Sequence, residues 1–85
     1  MHKIVYSKEA SKALKKMPKN MACTILKKIE ILAENPYAQN NNVKELKGVD
    51  GFRLRVGDWR ILYQIRNKVL EIYVVTVAPR GGAYR

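Results

Sequence analysis

Arg53, Arg55 and Arg60 are the side chains whose types and spacing could do chemistry. A guanidinium is a planar fork that stays protonated and grips anion oxygens two at a time. The stretch Phe52 to Ile65 holds all three, and it reads as two β-strands joined at Gly57-Asp58. A two-residue hairpin loop with Gly first fits a type II′ turn, whose twist matches that of the strands. This turn sets Val56 opposite Trp59, Arg55 opposite Arg60, Leu54 opposite Ile61 and Arg53 opposite Leu62. Side chains alternate across a sheet. Phe52, Leu54, Val56, Trp59, Ile61, Tyr63 and Ile65 therefore share one face, and the three arginines share the other. Like charges opposite each other weaken a ladder. Either the arginines are only the solvated side of a hairpin, or an anion spends time between them.

Other catalytic sets are missing from the sequence. No Gly-rich loop follows a strand, and no His, Cys or Asp set has metal-ligand spacing. The single histidine, His2, stands at the start of the chain, and the seven Asp and Glu are scattered. What remains is Arg53, Arg55, Arg60 and Arg80, with Tyr84 the one phenol of the closing segment. Such a set can bind an RNA phosphate, stabilise the charge that develops there, and let the neighbouring 2′-hydroxyl attack in line. The chemistry expected is metal-independent and asks for no cofactor; positioning and charge stabilisation carry it.

The elements that position this set follow from the rest of the chain. Its 85 residues, 47% of them apolar, make one small domain over 1–85. Seventeen Lys and Arg against seven Asp and Glu give a net charge of +10, which calls for a polyanionic partner: nucleic acid or an acidic protein segment. Cys23, alone, excludes an internal disulfide and is expected to be a small buried hydrophobe. With no signal peptide and no apolar run of membrane length, a soluble cytoplasmic protein is expected.

Lys3 to Tyr6 reads as a strand. Ser7 caps a helix to about Met17, with Ala10, Ala13, Leu14 and Met17 inward and Lys8, Lys12, Lys15 and Lys16 outward. A second helix runs from about Lys19 to Glu34, burying Ala22, Ile25, Leu26, Ile29, Leu32 and Ala33 and leaving Lys27 and Lys28 outside. Residues 35–42 form a loop, and 43–51 lead back to the hairpin, anchored by Leu46. Asn67-Lys68 makes a second turn. Val69 to Val77 is the last strand, with Leu70, Ile72 and Val74 inward and Tyr73 outward. The order β-α-α-β-β-β predicts an α+β fold. A helical hairpin covers one face of an N-terminal strand and a mostly antiparallel three-stranded meander.

Leu46-Lys47-Gly48, Phe52-Arg53-Leu54-Arg55, Trp59 to Ile65, Ala78-Pro79-Arg80 and Tyr84 together resemble the RelE/ParE toxin superfamily, across almost the whole chain. The resemblance implies a small basic toxin of a type II toxin–antitoxin pair. Its RelE branch is an mRNA interferase, an endoribonuclease that cuts mRNA in the ribosomal A site; its ParE branch poisons DNA gyrase. By position, Arg53 and Arg55 stand where two basic residues, usually lysines, precede the hairpin turn. Arg60 matches the arginine that orients the scissile phosphate, Arg80 the one that supports the leaving group, and Tyr84 the tyrosine that stacks on the substrate nucleotide. The full set favours the RelE branch, with the gyrase-directed branch as the alternative. Arginine replaces lysine at both strand positions, which leaves proton abstraction to Tyr84, a ribosomal group or water. The helix lysines (Lys8, Lys12, Lys15, Lys16, Lys27 and Lys28) are either a solvated face or the contact to ribosomal RNA. The partners implied are a short acidic antitoxin, the ribosome and mRNA, with no membrane.

Overall fold

The computed structural model describes residues 2–79. Seven elements follow in order: β1 (Lys3–Tyr6), α1 (Lys8–Lys16), α2 (Lys19–Glu34), β2 (Val43–Glu45), β3 (Phe52–Val56), β4 (Trp59–Arg66) and β5 (Glu71–Pro79). They make a five-stranded sheet in the order β1-β5-β4-β3-β2, antiparallel except where β1 runs parallel to β5. Both helices bury their apolar stripes in one core with Leu54, Ile61, Tyr63, Ile72, Val74 and Val77 of the sheet. The architecture is the expected α+β one, with one strand more.

Ser7 turns the chain from β1 into α1. Its hydroxyl oxygen accepts from the Ala10 N–H at 3.0 Å, which occupies one of the helix's four orphan donors. The same hydroxyl donates to the Val75 carbonyl at 2.6 Å, and the Ser7 N–H donates to the Val74 carbonyl at 3.0 Å. This junction falls where β5 is irregular. Leu62 pairs with Thr76 while Tyr63 pairs with Val74, so Val75 is an extra residue in the ladder, a β-bulge. The bulge shifts the alternation of β5: Ile72 and Val74 point inward below it, and Val77 points inward above it.

Three expectations need correction. Val43–Glu45 is a strand, paired antiparallel with β3, where only a connection was expected. Three residues with one apolar side chain carry too little pattern to read; backbone pairing with a strand already in place makes them β. Leu70 does not point inward. It has φ 52 and is 57% exposed, because it closes the turn by donating its N–H to the Asn67 carbonyl at 3.3 Å. Cys23 is exposed, not buried. One residue along a helix is a rotation of about 100°, which carries Cys23 off the stripe of Ala22, Ile25 and Ile29. Leu46 does anchor its loop, half-buried and donating its N–H to the Gly51 carbonyl at 3.0 Å.

Candidate functional site

The β3–β4 hairpin has the register read from the sequence: Val56 opposite Trp59, Arg55 opposite Arg60, Leu54 opposite Ile61, Arg53 opposite Leu62. Gly57 has φ 57, while Asp58 is not among the positive-φ residues, the combination that a type II′ turn requires. Leu54, Val56 and Ile61 are buried under the helices. The alternate residues Arg53, Arg55 and Arg60 therefore gather on the face opposite the helices. Arg55 is exposed; Arg53 and Arg60 are half-buried.

Neighbours on this face leave the Arg60 guanidinium room. Arg60 is flanked across the sheet by Arg55 on one side and the small Ala78 on the other. Its Nη1 donates to the Trp59 carbonyl at 3.5 Å, the outer limit of a hydrogen bond. Among the described residues no carboxylate lies within ion-pairing distance of Arg55 or Arg60. Arg66 makes the contrast at the far end of the same face. It pairs with Glu71 at 3.9 Å and stands 4.3 Å above the ring of Tyr73. Among the described residues the face carries an ion pair at this end and none at Arg55 and Arg60.

Lys44 of β2 stands directly opposite Arg53, so its alternation places it on the same face. Sequence reading missed it because β2 was not read as a strand. The available signal was Val43, whose inward side would have set Lys44 outward. The helix lysines Lys8, Lys12, Lys15, Lys16, Lys27 and Lys28 are all exposed, but on the helical layer. The sheet lies between them and the arginines. Arg80 and Tyr84 lie outside the described residues.

Trp59 and Tyr63 belong to the core side, as expected. Tyr63 is 1% exposed and stacks on Phe52 with ring centroids 5.5 Å apart. Burial pushes its hydroxyl up to about 12, because the phenolate would be desolvated. Tyr6 is raised too, first by burial and then by the Glu30 carboxylate. Neither phenol is on the arginine face. A hollow of about 290 Å³ beside β2, lined in part by Tyr37, Val43, Glu45 and Phe52, also opens away from it. Among the described residues no group of three His, Cys, Asp or Glu side chains is placed to hold a metal ion.

A mostly antiparallel sheet backed by two helices, with a cationic end on the opposite face, defines a class of small basic α+β proteins. Residues 4–84 match the family described as the ParE toxin of type II toxin–antitoxin systems, parDE. The chain belongs to this family of toxins, within the RelE/ParE superfamily. It is similar to the archaeal RelE of the Pyrococcus horikoshii RelE–RelB complex, at 30% identity over 96% of this chain and 98% of that one, with a TM-score of 0.82. It is 25% identical over 79 residues to a RelE-like toxin protein of Escherichia coli, covering 93% of this chain and 83% of that one. The toxin in the intact Escherichia coli RelBE toxin–antitoxin complex shares the fold at 20% identity, with a TM-score of 0.80 over 93% of this chain and 96% of that one.

Proposed function

We propose that this chain is a ribosome-dependent mRNA endoribonuclease, a single toxin domain over 1–85 that arrests translation in the cytoplasm. One observation carries the reading: Arg55 and Arg60 face each other on the sheet face opposite the helices, where among the described residues no carboxylate neutralises them, and Arg53 stands beside them. Holding such a set costs cross-strand repulsion. A bound phosphate removes that repulsion.

In this mechanism Arg55 and Arg60 grip the non-bridging oxygens of the scissile phosphate, with Arg53 beside them. The 2′-oxygen attacks phosphorus and the bond to the 5′-oxygen breaks, which leaves a 2′,3′-cyclic phosphate and a 5′-hydroxyl. The proton of the 2′-hydroxyl goes to Tyr84, a ribosomal group or water; the 5′-oxygen takes one up as it leaves, supported by Arg80. Stacking by Tyr84 orients the nucleotide. The arginines stabilise the charge that builds on the phosphoryl oxygens, where preorganised donors have their largest effect. The helix lysines attach the opposite side of the molecule to ribosomal RNA, a contact that should weaken steeply with salt.

A short acidic antitoxin is the proposed neutralising partner. The Pyrococcus horikoshii relative forms a RelE–RelB complex, and a net charge of +10 suits an acidic chain. Primer extension on a translated mRNA after induction tests the reading: cuts at defined positions within codons are expected, and an uncut, normally translated message would overturn it. A second reading, inhibition of DNA gyrase without nuclease activity, is favoured by the match to the ParE toxin family. Supercoiling by purified gyrase with and without the protein separates the two.

A further inference from the structure

The cationic face extends one strand beyond the arginine hairpin. Lys44 and Arg53 are partners across β2 and β3, while Arg55 and Arg60 are partners across β3 and β4. Neighbouring strands lie about 4.8 Å apart, so the two basic groups of each pair can share one anion. Arg53 and Arg55 are two residues apart on one strand, about 6.7 Å. The pairs are thus side by side, too far apart for one phosphate to serve all four groups equally. They suit successive phosphates of one strand. The neighbours of Lys44 on β2, Val43 and Glu45, alternate to the other face, and among the described residues no carboxylate lies within ion-pairing distance of Lys44.

We infer that Lys44 and Arg53 form a second phosphate subsite beside Arg55 and Arg60, so that this face takes two neighbouring phosphates of a single-stranded RNA. The inference rests on the reading of the face given above and adds to it a substrate contact on β2. Lysine suits an outer subsite: its ammonium is a mobile point charge that follows a backbone without fixing its geometry.

The test uses the purified full-length chain and a labelled 2′-O-methyl RNA hexanucleotide, which cannot be cut because the attacking hydroxyl is blocked. Binding is followed by fluorescence anisotropy over a series of KCl concentrations for wild type and the variants Lys44→Ala, Lys44→Arg, Arg60→Ala and Lys68→Ala. Lys68 lies exposed in the turn between β4 and β5 and controls for net charge alone. Lys44→Ala is expected to bind several-fold more weakly, with the salt slope reduced by about 0.7, the value for one single-strand phosphate contact. Lys44→Arg should restore both.

An edge lysine that only keeps β2 from pairing with another chain would make Lys44→Ala indistinguishable from Lys68→Ala, and the subsite is then overturned. If Arg60→Ala still weakens binding in that case, the reading of the arginine face stands. If Arg60→Ala binds this RNA like wild type, and cuts a translated mRNA like wild type in primer extension, while Lys44→Ala is weakened, the subsite holds and the catalytic reading fails. Absence of saturable binding by wild type overturns the subsite outright.

Discussion

Arg55 and Arg60 are cross-strand partners on the open face of the sheet, and among the described residues neither has a carboxylate to neutralise it. The pair opposes stability and, in the proposed function, serves activity. Replacing Arg60 by Ala is expected to open no cavity, since this face lies opposite the two helices. Stability is expected to hold or rise by a few tenths of a kcal/mol, the scale of cross-strand charge pairs. Cleavage is expected to fall at least tenfold, because a charge-assisted phosphate contact contributes about 1.5–3 kcal/mol. Thermal melts beside primer extension on ribosomes check both. Unfolding would make Arg60 structural, and an unchanged rate would remove it from the site.

Truncation after Pro79 separates folding from function. Among the described residues the buried core lies at or before Val77, so the shortened chain should keep its melting temperature to within a few degrees. It should lose mRNA cleavage, because Arg80 and Tyr84 go with the removed residues. Full cleavage by the shortened chain would refute their roles.

Ser7→Ala tests the junction of β1, α1 and the bulge. The variant loses the cap to the Ala10 N–H and leaves the Val75 carbonyl without its 2.6 Å donor. Loss of an N-cap costs about 0.5–2 kcal/mol, and a part-buried acceptor left unpaired pushes toward the upper end. Urea unfolding should show a lower midpoint with an unchanged slope. No change would mean that water replaces both contacts.

Tyr63→Phe should act in the other direction. Among the described residues the buried Tyr63 hydroxyl has no hydrogen-bond partner, so removing it relieves a desolvated polar group. The variant is expected to be as stable as wild type at neutral pH, or more stable by up to about 1 kcal/mol. Its pH response carries a second signature. The hydroxyl ionises near 10.0 when unfolded and at about 12 when folded. Above pH 10 the unfolded chain therefore releases this proton first, and stability is lost as pH rises toward 12, by at most about 2.7 kcal/mol. Tyr63→Phe should flatten that alkaline loss, leaving the smaller share from Tyr6. An identical alkaline profile in both proteins would contradict the assignment.

The hairpin was legible because three signals agree: Gly57-Asp58, apolar alternation on both sides, and a charged set in the intervening positions. The helices were legible to the residue for Lys19–Glu34 because Pro18 and Pro36 bracket a periodic stripe. The missed features depend on chain far away in sequence. β2 exists because β3 is there to pair with it, so the place of Lys44 on the arginine face went unannounced. The bulge at Val75 resets which residues of β5 face inward, and alternation alone cannot reveal a reset. Leu70 was drawn inward by that same alternation, although closing the turn requires φ 52 there. Arg80 and Tyr84 were read from resemblance and lie outside the described residues.

The parallel pairing of β1 with β5 sets a timetable for the nascent chain. Lys3 is opposite Glu71 and Tyr6 is opposite Val74, so the first strand made has no neighbour in the sheet until the last one emerges. Such pairing between distant parts of a chain forms late. Most of a toxin of this design would be synthesised before its fold can close, an interval in which a partner already present could meet it. Ribosome-arrested chains ending before Glu71 should therefore be digested readily by protease across β1 and α1. Chains with all of β5 outside the ribosome should resist.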